Sequence, residues 1–290
     1  MLDSESIAPE TLKYDTRHYI VENSGALVDY LETKTQKATD CVKALLDLGS
    51  VYVDKLRVTE NISLSRGQYI RVHCKPKRYA TEQLHWEQFI TFQTDDFLIV
   101  DKPPDIPVHP TVDNVRENML SALERHLGHK LYITQRLDVP TQGLLVLGKT
   151  LEFQKLFNKM LARKAIEKYY HARISQPLEP QLVRHFMKPH HGSPKVVSME
   201  PIELWHECLL EIQSCTEMAE KDYICRLRLL TGRTHQIRAQ LSALGAPLQG
   251  DHDYGSPLAR EKFFLRSVEL AFTCPISQKS FRFNAAQSPS

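Results

Sequence analysis

The sequence predicts an α+β protein in two parts: a small module of short helices and strands, then a larger mixed-sheet domain of about 200 residues. Three observations carry this. Between Ala26 and Val72, helical spacing gives way to two-residue alternation. From Trp86 onward, strand-like and helix-like stretches alternate without internal repeats or low-complexity runs. A balance of 42% hydrophobic and 25% charged residues in 290 is that of a chain able to bury a core.

Residues 1–20 are polar and without period, and read as a loose arm. Leu27 and Leu31, then Val42, Leu45 and Leu46, fall at helical spacing, and Gly49 stands where a left-handed glycine ends a helix. Val51-Tyr-Val53 and Ile70-Arg-Val72 alternate as strands, with Ser65-Arg66-Gly67 as a turn. These elements make a module over 21–80, followed by a domain over 81–285 and a tail at 286–290. Within the domain, Phe97-Leu-Ile-Val100 is an apolar strand that stops at Asp101-Lys-Pro-Pro104. Met119, Leu120, Leu123 and Leu127 share a helical face ending at Gly128, and Leu144 to Leu147 form the next strand. Thr150 is placed to cap a helix that carries Phe153, Leu156, Phe157, Met160 and Leu161 on one face. Alternation from Ile166 to Ile174 puts Ile166, Lys168, Tyr170, Ala172 and Ile174 on one side of a strand. Cys225, Leu227 and Leu229 alternate with Arg226 and Arg228 before the loop Thr231-Gly-Arg-Thr234. Ile237, Leu241 and Leu244 then line a helix ended by Gly245.

Composition excludes several classes. The longest apolar runs fall far short of the roughly 20 residues that span a bilayer. The opening Met-Leu-Asp-Ser-Glu-Ser holds acids and no apolar h-region, so a cytoplasmic location is expected. Six scattered cysteines without a C-x-x-C pair point to reduced thiols rather than a disulfide framework or zinc, and no metal is expected. His190-His191 has no acid or cysteine at ligand spacing and reads as a loop. A net charge of +2 announces no polyanionic partner by itself. Locally, Arg66, Arg71, Lys75, Lys77 and Arg78 lie close together with no acid among them. That run fits a phosphate-facing patch and equally a solvated strand face.

The segment Gln135-Arg136-Leu137-Asp138-Val139-Pro140-Thr-Gln142-Gly143 puts a charged pair in a loop, shaped by Pro140 and Gly143, directly before a buried strand. The residues alone also allow an ordinary surface ion pair. Arg233, in a glycine-containing loop before a helix, can reach across to a site or stand in solvent; Tyr170 shares its face with core residues and reads equally as a core tyrosine.

Four blocks in order nevertheless resemble RNA pseudouridine synthases of the RluA type. Gln135 to Leu145 is similar to the family's His-Arg-Leu-Asp-x-x-Thr-Ser-Gly-Leu-Leu, and Asp96 to Pro110 to its Asn-Lys-Pro-x-Gly-x-x-Val-His-Pro. Ile166-Glu-Lys168-Tyr-Tyr170 resembles Val-x-Lys-x-Tyr. Leu230-Thr-Gly-Arg-Thr-His-Gln-Ile-Arg238, continuing through Leu248-Gln-Gly-Asp251 and Tyr254-Gly255, is close to a verbatim match. The chain departs from the pattern at Gln135, Val139, Gln142 and Arg266, where histidine, a basic residue, serine and histidine are usual. The resemblance implies a mixed, mainly antiparallel sheet flanked by helices, and an enzyme that isomerises uridine to pseudouridine in ribosomal or transfer RNA. No cofactor is implied, in keeping with the lack of a P-loop or strand-linked G-x-G-x-x-G.

By the same resemblance Asp138 is the nucleophile, Arg233 the cation that keeps it charged, and Tyr170 the aromatic face for uracil. Arg136 fills the gap left by a flipped base or grips a phosphate, and Lys168, His235, Gln236 and Arg238 are further substrate-binding residues. The stretches Leu46 to Asp54 and Leu64 to Val72 resemble the alpha-L RNA-binding motif, with Asp54-Lys55 in place of its usual turn dipeptide. RNA is the implied partner, with no membrane and no obligate protein partner. Two rivals are a non-catalytic RNA-binding protein and a nucleoside hydrolase or glycosidase; the latter needs a second carboxylate, for which Asp101 and Asp105 are the candidates.

Overall fold

The structure, a computed structural model, describes residues 15–190, 192–220, 222–256 and 262–285. The first part of the expected arm and the expected tail at 286–290 lie outside the described residues. Contacts divide the chain into two compact units: Met1–Gln83 with His109–Ala122, and Leu84–Val108 with Leu123–Ser290.

In the first unit, β1 (Thr16–Ile20), β2 (Gly25–Ala26), α1 (Leu27–Thr35), α2 (Thr39–Asp47), β3 (Val51–Val53), β4 (Leu56–Val58), β5 (Ser63–Leu64) and β6 (Tyr69–His73) follow one another. The main sheet has the order β1-β6-β3-β4, and β2 pairs with β5. Ile70 and Val72 turn inward from β6 onto Leu27 and Leu31 of α1 and Val42, Leu45 and Leu46 of α2. Helix α2 ends as its glycine demands: Gly49 takes φ +67° and the Ser50 N–H reaches back to the Leu45 carbonyl at 2.9 Å. Asp54 and Lys55 both have positive φ, 49° and 70°, the primed turn that matches the twist of a two-residue hairpin. Residues Thr16–Ile20, expected within a loose arm, form a strand instead, in register from Thr16 opposite His73 to Ile20 opposite Tyr69. This edge strand is held by backbone bonds and stays partly exposed, so its side chains carry no period.

The second unit is built on an eleven-stranded sheet. Its members are β7 (Ile90–Gln93), β8 (Phe97–Lys102), β9 (Tyr132–Ile133), β10 (Gln142–Gly148), β11 (Glu167–Ile174), β12 (Gln181–Met187), β13 (Val197–Ser198), β14 (His206–Ala219), β15 (Asp222–Leu229), β16 (Leu265–Thr273) and β17 (Ser280–Asn284). The order is β13-β12-β14-β15-β11-β16-β10-β8-β7, with β17 on β16 and β9 on β10. Among the described residues only β10 and β16 run parallel, so the sheet is mixed and mainly antiparallel. The helices of this unit are the part of α3 (Met119–Leu127) from Leu123 onward, α4 (Leu151–Ala162) and α5 (Gln236–Ala243). Thr150 caps α4, its hydroxyl accepting from the Phe153 N–H at 3.1 Å. Phe153 and Phe157 then pack onto Phe97, Leu144, Val146 and Phe272 of the sheet. Among the described residues no helix is long and apolar enough to cross a membrane.

One row of the sheet prepares the site. Lys102 of β8 lies opposite Gly143 of β10, Gly143 opposite Ser267 of β16, and Ser267 opposite Tyr170 of β11. Gly143 has φ +106°, and a Cβ there would fall 2.2 Å from the Ser267 carbonyl oxygen, which only glycine permits. Overpacking and backbone strain together make Gly143→Ala lose roughly 2–5 kcal/mol of stability in urea unfolding. A midpoint like that of the unsubstituted protein would contradict this packing.

Candidate active site

Asp138 sits in a loop that is tied down on both sides. Its carbonyl accepts from the Thr141 N–H at 3.0 Å, closing a tight turn over Pro140. The next carbonyl, that of Val139, accepts from Lys102 Nζ at 3.0 Å, and the same ammonium donates to the carbonyls of Pro103 at 2.8 Å and Ile106 at 2.7 Å. Three carbonyls match the three N–H bonds of a charged lysine. Burial pulls the Lys102 pKa down to about 7, against the opposing pull of Asp105 and Asp138.

The carboxylate faces a cleft lined by Arg136, Tyr170, Arg233, His235 and Arg238 over the apolar side chains of Leu137, Leu229, Ile237 and Leu265. Asp138 is the one carboxylate among these lining residues. Arg238 Nη1 stands 3.6 Å from its Oδ2, and His235 Nε2 stands 3.7 Å from its Oδ1. Arg238 is only 5% exposed, and Asp251 grips it through two bonds of 2.7 Å, from Nε to Oδ2 and from Nη2 to Oδ1. The guanidinium also lies over the Tyr254 ring, 4.7 Å from its centroid. Burial opposes its charge, but the bonds and charge of Asp251 outweigh that and hold the arginine pKa above its usual value. Tyr170 is buried on the inward face of β11, and at the register shift beside it Val268 of β16 is the residue left unpaired. Burial pushes its hydroxyl pKa well above the usual tyrosine value.

Several sequence expectations change in position or role. Arg233 lines the cleft but is exposed and makes no ion pair with Asp138 among the described residues; the cation at Asp138 is Arg238, expected as a substrate contact. The physical reason is direction: Arg238 points inward from the first turn of α5, while Arg233 stands in the loop before it. Gln236 is 2% exposed and uses its amide internally, accepting from Thr231 Oγ1 at 2.9 Å and the Arg233 N–H at 3.0 Å, and donating to the Leu209 carbonyl and Gln240. Through these bonds it shapes the Arg233 loop at the edge of the cleft. Lys168 is buried, with its Nζ 3.2 Å from where a Cβ of Gly232 would be, so it underlies the same loop; burial lowers its pKa to about 8. Arg136 is exposed at the rim, its Nη2 3.3 Å from Thr234 Oγ1.

In the first unit, the basic run is partly neutralised by acids distant in sequence. Arg78 pairs with Glu117 at 2.6 Å, the Lys77 N–H donates to Asp113 at 2.8 Å, and Arg71 stacks 4.1 Å from the Tyr52 ring centroid. Arg66 and Lys75 are exposed. Two departures from the family pattern meet each other: Arg266 donates to Gln142 at 3.2 Å and to Asp101 at 2.6 Å.

Three site residues had no assigned role in the sequence reading: Asp251, Tyr254 and Lys102. Their signal was present, since Asp251 and Tyr254 fall in the last block that resembles the family and Lys102 between a strand and two prolines. What was missing was the partner.

Fold and cleft define the class: an α+β domain presenting one ion-paired carboxylate over an apolar floor. A sequence model of the family described as RNA pseudouridylate synthase matches residues 96–243, and the chain belongs to that family. It is 35% identical over 222 residues to RNA pseudouridine synthase 6, chloroplastic, of Oryza sativa, covering 68% of this chain and 46% of that protein. It is 31% identical over 181 residues to ribosomal large subunit pseudouridine synthase D of Pasteurella multocida, covering 57% of this chain and 52% of that one. The chain thus spans about half the length of these curated relatives. Among solved structures, human RNA pseudouridylate synthase domain containing 4 shares the fold with a TM-score of 0.58 at 16% identity, over 72% of this chain and 91% of that one.

Two substitutions probe the scaffold. Asp251→Asn unbalances the buried Arg238 and lowers stability by about 3–5 kcal/mol, measured by denaturant unfolding. Lys102→Met leaves three carbonyls without their donor, one of them in a buried bond, so the unfolding free energy falls by roughly 3 kcal/mol or more in denaturant unfolding.

Proposed function

We propose that the protein isomerises uridine to pseudouridine in structured RNA, with Asp138 as the reacting carboxylate. The observation that carries this reading is the pairing of Asp138 with the buried Arg238 at 3.6 Å, inside a cleft with an apolar floor. Isomerisation breaks the bond from C1′ to N1, turns the uracil and joins C1′ to C5, with no atom gained or lost. The ribose carbon becomes electron-deficient as the base leaves. An ionised Asp138 either bonds to C1′ or takes the 2′ proton, and both routes need its charge. Arg238 stands beside the carboxylate as its counter-charge. Leu229, Ile237 and Leu265, with the Tyr170 ring, are the surface on which the detached uracil turns. With its pKa raised by burial, Tyr170 offers a neutral hydroxyl and a ring.

A base in structured RNA must be flipped to enter this cleft. The exposed Arg136 and Arg233 at its rim are the residues we assign to the vacated stack and the backbone phosphates. The Pasteurella relative is named for the large ribosomal subunit, which supports ribosomal RNA as the substrate. We read the first unit as an RNA-binding module of the alpha-L type, contacting RNA through Arg66 and Lys75. A nucleoside hydrolase is disfavoured, because Asp101 is bound to Arg266 at 2.6 Å and Asp138 is the one carboxylate among the described residues that line the cleft.

Asp138→Asn is expected to lower pseudouridine formation on the order of a thousandfold or more while RNA binding is retained, read by mapping pseudouridine in RNA treated with each protein. Release of free uracil by the unsubstituted protein, or full activity in the variant, would sink the proposal.

A further inference from the structure

We propose that Tyr254 is a positioning residue that fixes His235 as the neutral, Nδ1-protonated tautomer, so that Nε2 accepts from Arg238 and keeps the guanidinium turned toward Asp138. The catalytic consequence rests on the function proposed above; the tautomer does not.

Arg238 Nη1 lies 3.1 Å from His235 Nε2. A guanidinium carries donors only, so Nε2 must present its lone pair, and the single proton of a neutral imidazole is then on Nδ1. Nδ1 lies 3.0 Å from Tyr254 Oη and 3.3 Å from Ser193 Oγ. The Tyr254 oxygen also accepts from the Lys195 backbone N–H at 2.8 Å, so both of its lone pairs are directed at donors. The opposite tautomer, or a protonated ring, would set an N–H against that of Arg238 at 3.1 Å.

The charged and titratable groups around the ring are Asp138, Arg238, Asp251, Lys195 and Tyr254. Burial pushes the imidazole pKa below its usual value; Asp138 and Asp251 work against this, and Arg238 and Lys195 reinforce it. His235 also has φ +57°, a left-handed backbone that turns its ring between Tyr254 and Asp138 just before α5 begins. The segment around Ser193 and Lys195, between β12 and β13, is thereby linked to the reacting carboxylate through one tyrosine hydroxyl and one imidazole.

The test uses the full chain with 15N-labelled histidine, whose ring nitrogen shifts at neutral pH report the tautomer; the His235 signals are those lost in His235→Gln. The expected result is an Nδ1-protonated His235. Because Ser193 offers Nδ1 a second acceptor, the informative variant is Ser193→Ala with Tyr254→Phe, which keeps the ring under Arg238. It should shift His235 toward the Nε2-protonated form and lower kcat roughly tenfold to a hundredfold at nearly constant KM. His235→Gln, whose amide oxygen still accepts from Arg238, should keep more activity than His235→Ala. It should also lose the part of the fall in kcat at acid pH that arises from imidazole protonation. An Nε2-protonated His235 in the unsubstituted protein, or an unchanged tautomer and kcat in the double variant, would overturn the proposal. An Nδ1-protonated His235 in a protein that forms no pseudouridine would overturn the function reading alone.

Discussion

The two-pronged bond between Arg238 and Asp251 is the contact on which the candidate site depends. A guanidinium buried to 5% exposure cannot stand without a carboxylate, because the loss of its hydration has to be offset by charge and hydrogen bonds. Asp251 supplies both at 2.7 Å. Asp138 meets the same arginine at 3.6 Å, beyond hydrogen-bond length. One cation therefore serves two carboxylates unequally: Asp251 is consumed in holding Arg238, while Asp138 is balanced in charge and left with open oxygens facing the cleft. That inequality is the reason Asp138, and not Asp251, is the carboxylate we propose to react.

The sheet supplies the rigidity this arrangement needs. Lys102, Gly143, Ser267 and Tyr170 lie side by side across four strands, and each end of the row touches the site. At one end Lys102 ties down the carbonyl following Asp138; at the other Tyr170 enters the cleft. A carboxylate on a loop whose backbone is fastened to paired strands keeps its geometry better than one on an unsupported loop. The departures Gln142 and Arg266 lie on the same two central strands and bond to each other through Nη1, while Nη2 of the arginine donates to Asp101. Two substitutions that look unrelated in the sequence are one contact in space.

The basic run of the first unit teaches the reverse lesson. Along the chain its cations have no acidic neighbour, yet Glu117 and Asp113 come from some 40 positions downstream to meet Arg78 and the Lys77 backbone. Charge counted in a window overstates a field that folding partly cancels.

What the sequence determined by itself was local. The helical spacing of Leu27 to Leu46, the cap at Thr150, the alternation from Ile166 to Ile174 and the glycines that end helices all act within a few residues, through backbone hydrogen bonds and the exclusion of polar groups from a core. They were legible for that reason, and the block around Asp138 was legible as a family match. The strand at Thr16–Ile20 was not, because an edge strand needs a partner more than a period. The tertiary structure alone decided which cation faces Asp138. Arg233 and Arg238 are five residues apart in one block, and nothing in their spacing ranks them. The choice follows from a left-handed turn at His235, an inward-facing first turn of α5, and an aspartate thirteen residues further on that can hold only the arginine buried beside it. Electrostatic pairing depends on distance in space and on burial, and neither is written in any short stretch of chain.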